Sequence, residues 1–311
     1  MLNLPTYIVI TPAKNESDYI ELTIQSVISQ TIKPIRWIIV SDGSTDGTDE
    51  IVQRYIAEYP WIELVQIPQG QPRDFAGKVY AFNAGYAQVK NMDYDVVVSL
   101  DADISFDPDY FAYLLSKLAS DTQLGLVGTP FLEGSKQLYD YRYTSIEHVS
   151  GACQVFRHQC FEDIGGYVPV KGGLIDRIAV ITARMKGWKT RTFVDKACQH
   201  HRIMGTAQGG EIRAKFKSGE KDYAIGNNAA WEAFRVLYQI RKKPFIIGGL
   251  ALAAGYVFSF VRRRDRAVSQ ELMRFHRREQ MQRLAKAFSR ATIPLTNIMC
   301  PRQQSVNREQ L

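Results

Sequence analysis

The sequence has little cysteine, and its cysteines form no metal-binding pattern. Cys153, Cys160, Cys198 and Cys300 include no pair at the spacing of zinc ligands. No Gly-x-Gly-x-x-Gly follows the first apolar run, which disfavours a dinucleotide-dependent dehydrogenase. No signal peptide opens the chain, and internal repeats are absent. We therefore expect a globular protein that works in the reducing cytoplasm.

What the sequence does contain is a series of short apolar runs that end in polar, acidic loops. The runs at residues 7–11, 36–40 and 96–100 are rich in β-branched residues, which is typical of buried strands. Between them, apolar residues recur with helical spacing at 20–28 and 51–59. This alternation predicts an α/β fold with a mostly parallel sheet and flanking helices. The carboxyl ends of the strands then share one edge.

Three aspartates follow two of these runs. Asp42 comes after the second run, and Asp101 and Asp103 come directly after the third. We expect them to meet at the sheet edge where open α/β proteins bind ligands. Two neighbouring carboxylates are unfavourable unless a cation neutralises them, and a divalent ion carrying a diphosphate does so with oxygen ligands. The alternative is structural, because Asp-x-Asp also occurs in turns and at helix N-termini.

A series of short motifs runs in order through the first two hundred residues. They lie at 12–16 (Pro-Ala-Lys-Asn-Glu), 41–46 (Ser-Asp-Gly-Ser-Thr-Asp), 77–85, 101–103 (Asp-Ala-Asp), 151–157, 164–166 (Ile-Gly-Gly), 176–184 and 187–188 (Gly-Trp). In this order they resemble the motifs of the inverting glycosyltransferases of family 2. The resemblance implies the GT-A fold, a Rossmann-like sheet that binds nucleotide-sugars. It also implies a UDP-sugar as donor and Mg²⁺ or Mn²⁺ as cofactor.

The resemblance further implies roles for residues around the donor. Asp103 would ligate the metal, and Asp101 would contact the ribose or the metal through water. Asp42 would accept a hydrogen bond from the base. The ammonium of Lys78 would meet the base or the phosphates, or else Lys78 is an exposed lysine at a helix start. The nucleoside would be walled by Thr11, Pro12, Ala13 and Glu16.

An inverting transfer also needs a base that takes the proton of the acceptor hydroxyl. Asp176 is the candidate, because it precedes a stretch of helical period that ends at Gly187. The family usually has an acidic residue directly before this aspartate, whereas this chain has Ile175. The departure affects neighbouring acceptor contacts and leaves the proton acceptor in place. Asp176 could also cap the helix, which would fix its orientation.

The segment after the run 190–194 carries the remaining candidates. By its place in the family pattern, His201 would be a further metal ligand and Arg202 would pair with the diphosphate. Two adjacent histidines also occur simply as loop residues. Processive members of the family have Gln-x-x-Arg-Trp in this region, and this chain does not. A single transfer per binding event is therefore favoured over polymer synthesis.

Basic charge is concentrated at the end of the chain. Residues 262–311 contain twelve Lys and Arg against four Asp and Glu, a net of +8, while the whole chain carries +7. The run 244–261 just before it has no charged residue and is bracketed by basic residues on both sides. We therefore predict a catalytic domain at 1–240 and a membrane-associating tail at 241–311. The partner would be an anionic membrane surface and not nucleic acid.

Several arrangements of this tail remain open. Because both flanks of 244–261 are basic, a re-entrant hairpin broken near Gly248 and Gly249, or a helix lying in the interface, is favoured over a simple span. The alternative is a buried helix of the soluble domain. The apolar spacing at 268–288 predicts a basic amphipathic helix, which would lie on lipid or pack its apolar stripe on the catalytic domain.

Three functional hypotheses follow. The first is a glycosyltransferase at the cytoplasmic face of the inner membrane, acting on a saccharide or polyprenyl-linked acceptor in cell-envelope or exopolysaccharide assembly. The second is a nucleotidyltransferase, and the third is a non-catalytic membrane adaptor that retains the fold. The acceptor loop, at 131–149, carries Tyr139, Tyr141, Tyr143 and His148, which would stack on sugar rings or merely pack.

Overall fold

The computed structural model describes residues 3–68, 75–134, 136–137, 145–170, 172–202 and 210–291. Strands and helices alternate through the first half of the chain. These elements are β1 (Tyr7–Ala13), α1 (Ile20–Ile28), β2 (Arg36–Asp42), α2 (Thr48–Ile56), β3 (Ile62–Ile67), α3 (Phe75–Val89), β4 (Val96–Leu100), β5 (Ile104–Ser105), α4 (Tyr110–Ser120), β6 (Leu124–Gly128), β7 (Phe131–Glu133), β8 (Lys136–Gln137) and β9 (Cys153–Arg157). They are followed by α5 (His158–Asp163), α6 (Ile175–Met185), β10 (Lys189–Thr192), β11 (Cys198–His200), α7 (Gly210–Ala224), α8 (Ala229–Ile240), α9 (Phe245–Val261) and α10 (Gln270–Ala291).

The main sheet has seven strands in the order β10-β6-β9-β4-β1-β2-β3. Its pairings are parallel except for β9, which runs antiparallel to both β4 and β6. The predicted α/β class with a mostly parallel sheet and flanking helices is therefore confirmed. Because β1, β2 and β4 are parallel neighbours, the loops after them lie at one edge.

Apolar side chains cover both faces of this sheet, because successive residues of a strand point to opposite sides. Tyr7 and Val9 of β1 face a layer that contains α1, α2 and α4, whereas Ile8 and Ile10 face a layer that contains α3, α5 and α6. Fully burying one such branched side chain contributes about 1.5–3 kcal/mol. Gly85 of α3 lets that helix lie close to the sheet, since an added Cβ would come within 2.8 Å of Val40 Cγ2.

A second, four-stranded sheet lies in the order β5-β11-β7-β8. Its central strand β11 pairs antiparallel with β5, so that His200 lies opposite Ile104. The backbone N–H of His201 donates to the carbonyl of Asp103 at 2.9 Å. This small sheet therefore brings the end of β11 beside the loop that follows β4.

Helices α7 to α10 form the C-terminal part of the described chain. Here α7 and α9 touch through glycines: a Cβ on Gly219 would lie 2.0 Å from the carbonyl oxygen of Leu252, and one on Gly255 would lie 2.0 Å from that of Phe216. Because α7 packs this closely on α9, the predicted boundary at residue 240 falls inside a group of packed helices.

The structure corrects the expectation of a broken hairpin at Gly248 and Gly249. Helix α9 continues without interruption through both glycines, which are buried and lie against Pro244, Gln239 and Ile240. Small residues at these positions let α9 approach its neighbours, so they serve packing and do not break the helix. Within the described residues, no helix combines the length and apolarity needed to cross a membrane.

Helix α10 packs its apolar stripe on the protein, which was one of the two interpretations of that pattern. Leu272 is buried against Ile178 and Ile181 of α6, and Leu284 is also buried. At the same interface, Arg184 of α6 donates from Nε and Nη2 to the two carboxylate oxygens of Glu279, at 2.7 Å and 2.9 Å. Helix α10 is thus attached to α6, whose first turn contains Asp176.

Candidate functional site

The loops after β1 and β2 bring a lysine and an aspartate together at the edge of the sheet. Asp42 ends β2 and is largely buried, and its carboxylate accepts a hydrogen bond from the ammonium of Lys14 at 3.0 Å. Lys14 follows β1, so the parallel pairing of the two strands sets this contact. A buried carboxylate with a cation beside it can accept from a nucleobase N–H while the cation limits the cost of its burial.

The loop after β4 holds the second acidic group. Asp103 is mostly buried, and its Oδ2 atom lies 3.4 Å from Nε of Arg202. The Oδ1 atom of the same carboxylate lies 3.6 Å from Nε2 of His200. Arg202 also pairs with Glu16, from the loop after β1. Glu16, Asp103, His200 and Arg202, which come from three distant parts of the sequence, therefore form one connected group.

Asp101 pairs with Lys78 of α3. Burial raises the pKa of Asp101, although the adjacent Lys78 ammonium opposes this change. Burial alone would lower the pKa of Lys78, but the Asp101 carboxylate outweighs it, so the pKa of this lysine is raised and it stays charged. The pair therefore places a stable positive charge beside the carboxylates, where a diphosphate would carry its negative charge.

A cavity of about 290 Å³ connects this pair to the candidate base. Lys78 and Asp101 line one part of it, and Asp176 and Lys221 line another. Asp176 is the second residue of α6 and does not cap it, because the residue before the helix is Leu174 in a left-handed conformation with φ 78°. The predicted helical stretch after this aspartate is confirmed by α6, which begins one residue before it, at Ile175.

Gly151 forms a wall of the same cavity beside Asp176. A Cβ added at Gly151 would lie 3.1 Å from Asp176 Cβ and 3.4 Å from its Cγ. The absence of a side chain at this position therefore leaves room for the aspartate to turn toward the cavity.

Residues of β1 contribute less to the site than expected. The hydroxyl of Thr11 is fully buried and accepts a hydrogen bond from the indole N–H of Trp37 at 2.9 Å, so this side chain faces the interior. Ala13 is buried in the main core, whereas Pro12 is partly exposed. Glu16, paired with Arg202, is the member of this predicted wall that reaches the acidic group.

The two histidines of the predicted diphosphate segment point to different places. The ring of His201 lies 2.8 Å from the hydroxyl of Ser105 and stacks on Tyr19, with ring centroids 6.2 Å apart. His200 is the imidazole that faces Asp103, because β11 ends at this residue and turns it toward the loop after β4. Geometry thus favours His200 over His201 as the histidine beside a metal.

The acidic groups fit a hard divalent ion that is bound by carboxylates and by a phosphate together. In the part of the chain that the structure describes, no three side chains of His, Cys, Asp or Glu form a group that could hold a metal alone. Asp101 and Asp103 can supply two carboxylates. Mg²⁺ is commonly bound in this way, by one or two carboxylates together with substrate phosphates and water.

Sequence reasoning missed three residues of the site. Lys14 lies inside a motif that was singled out, so its place after β1 could have indicated it. Gly151 also lies in such a motif, but only the packing shows what its missing side chain permits. Lys221 lies on α7, far along the chain from every motif, and no sequence signal indicated it. The tyrosines 139, 141 and 143 of the predicted acceptor loop lie outside the described residues.

Curated relatives of the chain are bacterial polysaccharide synthases. The poly-β-1,6-N-acetyl-D-glucosamine synthase of Staphylococcus aureus is 31% identical over 137 residues, which is 44% of this chain and 31% of that protein. The synthase of the same name from Staphylococcus epidermidis is 27% identical over 170 residues, or 49% of this chain and 39% of that protein. The match thus spans about a third of the length of these relatives.

Solved structures share the fold at low sequence identity. A mannosyltransferase from Pyrobaculum calidifontis, in complex with GDP-Man and Mn²⁺, superposes with a TM-score of 0.56 at 19% identity, covering 93% of this chain and 81% of that one. S. aureus TarS in complex with UDP-GlcNAc gives a TM-score of 0.53 at 14% identity, covering 82% and 73%. These likenesses agree with the α/β sheet and its flanking helices.

The family model described as glycosyl transferase family 2 matches residues 8–169, which is more than half of the 311 residues. The matched region contains the elements from β1 to α5, including Asp42, Asp101 and Asp103. The chain therefore belongs to glycosyltransferase family 2.

Proposed function

We propose that this protein transfers a sugar from a nucleoside diphosphate donor, a UDP-sugar, to a hydroxyl of a saccharide or polyprenyl-linked acceptor, with inversion at the anomeric carbon. One observation carries the proposal: a single cavity is lined by Asp101 and Lys78 at one part and by Asp176 at another. An acidic, cation-paired group for the leaving diphosphate and a separate carboxylate for the acceptor are the two parts that such a transfer needs.

The donor half is formed by the edge of the sheet. Asp42, held by Lys14, accepts from the uracil N–H, and Lys78 and Arg202 pair with the phosphates. Asp103 and Asp101 would hold Mg²⁺ or Mn²⁺, and the bound ion would offset the negative charge of the departing diphosphate. The GDP-Man and Mn²⁺ bound to the Pyrobaculum enzyme and the UDP-GlcNAc bound to TarS support a nucleotide-sugar donor on this fold.

The acceptor half depends on Asp176. Its carboxylate accepts the proton of the acceptor hydroxyl while the hydroxyl oxygen attacks the anomeric carbon from the face opposite the diphosphate. Gly151 leaves the space in which the carboxylate turns toward the hydroxyl. Ile178 and Ile181, buried on the same helix, hold α6 against the protein and so fix the direction of attack.

We also propose that the protein works at the cytoplasmic face of the inner membrane, in cell-envelope or exopolysaccharide assembly. One face of α9 is buried through small residues, while its other face leaves large apolar side chains exposed, among them Ile246, Leu250 and Phe260 at 61%, 58% and 62%. A helix of this kind suits the interface of an anionic membrane, and the basic residues after Val261 add attraction.

The test is release of nucleoside diphosphate by the purified full-length protein from a panel of nucleotide-sugars, with Mn²⁺ and with chelator. We expect turnover of one UDP-sugar, and its loss with chelator. Asp101→Asn and Asp103→Asn should abolish it, whereas Asp18→Asn, at an exposed position on the same side of the sheet, should not. Absence of turnover with every donor, with and without acceptor, would favour the non-catalytic adaptor. Turnover unaffected by chelator would remove the metal from the mechanism.

A further inference from the structure

A second and larger cavity opens on the other side of Asp176. It has a volume of about 1700 Å³ and lies between α6, α8 and α10. Asp176, Leu174 and Lys221 line both this cavity and the smaller one that contains Asp101. The candidate base therefore lies at the junction of two spaces, and the larger one, here called the basic groove, is open to an acceptor.

The basic groove carries an excess of positive charge. Among the described residues that line it, nine are Lys or Arg and four are Asp or Glu. Two of the cations, Arg177 and Arg235, are offset from behind by the buried carboxylate of Asp222, and Arg235 also by Glu232. Counting both carboxylates still leaves a surplus of positive charge. A neutral saccharide gives no reason for such a surplus, whereas a phosphate group would be attracted by it.

Lys221 is the cation placed to act beside the reaction. Among the described residues, it is the only Lys or Arg that lines both cavities. Lys78 lines the smaller cavity but not the basic groove. Burial lowers the pKa of Lys221, and the nearby Asp176 carboxylate opposes this change. An anion bound at this ammonium would lie within about one sugar ring of the hydroxyl that Asp176 deprotonates, and partial burial would strengthen the attraction.

The wall of the groove formed by α8 is aromatic. Trp231, Phe234 and Tyr238 line it, and Phe234 is 37% exposed. Leu237 of the same helix is 60% exposed, and α9 with its exposed apolar face packs against α8. Apolar surface therefore continues from the groove to the face that is proposed to meet the membrane.

We propose that the basic groove binds the acceptor, and that the acceptor is an amphiphile in which a phosphate or diphosphate joins an apolar chain to a sugar. This inference rests on the proposed function and names its acceptor class. Lys221 binds the phosphate, and the aromatic residues of α8 contact the apolar chain. The nucleophile is a sugar hydroxyl and not the phosphate itself, because a phosphate oxygen is already ionised and would have no use for Asp176.

The transfer then balances as a single displacement. The hydroxyl oxygen of the acceptor forms a bond to the anomeric carbon, and the bond from that carbon to the β-phosphate oxygen of the donor breaks. The electron pair of the broken bond leaves with the nucleoside diphosphate, and the proton goes to Asp176. The phosphate of the acceptor takes no part in bond making and serves only to position the sugar.

The experiment compares two probes of equal chain length that bind without reacting further: decyl diphosphate, and the neutral decyl β-glucoside. Both are titrated below their micellar concentrations into the full-length protein and measured by calorimetry. We expect decyl diphosphate to bind about tenfold more tightly or better, because its charge-assisted hydrogen bonds are absent from the glucoside. Equal affinity for the two probes would mean that the groove recognises only the apolar chain, and the inference would be wrong.

Variants identify the residue that binds the diphosphate of the probe. Lys221→Ala should lose about tenfold in affinity for decyl diphosphate and little for the glucoside, and Lys221→Arg should restore most of the loss. Arg213→Ala, which removes an exposed cation from the same helix α7 outside the groove, should change neither affinity. If Lys221→Ala instead weakens UDP more than decyl diphosphate, the lysine belongs to the donor site and the assignment fails.

The two proposals can fail separately. Nucleoside diphosphate release that persists while both probes bind equally would retain the proposed function and reject a phosphate-bearing acceptor. Selective binding of decyl diphosphate with no turnover of any nucleotide-sugar would retain the groove as an anion-binding site. It would reject the transferase function, and the bound amphiphile would then not be an acceptor.

Discussion

The donor edge of the sheet and the helices after residue 210 hold buried charge in different ways. At the donor edge, Asp101 and Lys78 form a pair whose side chains remain 25% and 33% exposed and which faces a cavity. In the helical region, Asp222 is only 2% exposed and is enclosed by Arg177 and Arg235. The first pair can exchange partners with a ligand. The second cannot do so without loss of packing, so it serves to join α6 to α7 and α8.

The largest effect should come from removing the enclosed carboxylate. Asp222→Ala removes the buried carboxylate that Arg177 and Arg235 share at the wall of the basic groove, and we expect a loss of about 3 kcal/mol in the free energy of unfolding. Urea denaturation followed by circular dichroism measures it. Asp101→Ala is the matched control, and its loss should be clearly smaller because its pair is partly solvated. Equal losses at the two positions would remove the distinction between the regions.

The next effect concerns the junction between the two regions. Asp176→Asn should lower turnover by about 10² or more while donor affinity stays within a few-fold, because the amide is nearly isosteric but cannot accept the proton. Turnover of the UDP-sugar in the presence of acceptor, together with calorimetry of UDP binding, measures both. Near wild-type transfer by this variant would assign the base to another residue.

A smaller effect is expected at the donor edge itself. Asp103→Ala should weaken binding of UDP in Mn²⁺ by about tenfold or more and leave binding of uridine almost unchanged, because only the diphosphate is reached through the ion. Calorimetry with both ligands, repeated with chelator, measures this difference. A parallel loss for uridine would mean that the substitution disturbs the nucleoside site, and the metal role of Asp103 would have to be given up.

The smallest effect is expected on the exposed face of α9. Replacing Ile246, Leu250 and Val257 by serine should reduce binding to vesicles of anionic lipid by about tenfold, since exposed apolar side chains are those that enter the interface. Vesicle sedimentation at low and high salt separates this contribution from that of the basic residues. The control is Leu22→Ser, an exposed leucine of α1. Unchanged sedimentation of the triple variant would remove α9 from the membrane contact.

The donor edge could be predicted from the sequence because strand ends are set by local pattern. The apolar run before Asp101 stops where β4 stops, and the run before Asp42 stops two residues before the end of β2. A parallel sheet then brings the ends of these strands together whatever the distance between them in sequence. The helix α6 after Ile175 followed in the same way from helical period. These are consequences of short-range pattern combined with one rule of topology.

The helical region could not be predicted to the same depth, because its contacts depend on packing between distant segments. Gly248 and Gly249 indicate a break when only the local sequence is considered, yet they permit close packing in an unbroken helix. Lys221 reaches the cavity only because α7 lies beside α6. The choice between His200 and His201 depends on the register of a three-residue strand, which no periodicity fixes.

Leu174 illustrates how stability and activity can oppose each other at a single residue. Its φ of 78° is costly for a residue with a Cβ, by about 1–2 kcal/mol, and a glycine would adopt it freely. Leu174 nevertheless lines both cavities beside Asp176, and its side chain occupies space where they meet. Substitution by glycine would relieve the backbone and remove that partition. If the proposed function holds, a protein made more stable in this way would admit water beside Asp176, and part of the donor would be hydrolysed instead of transferred.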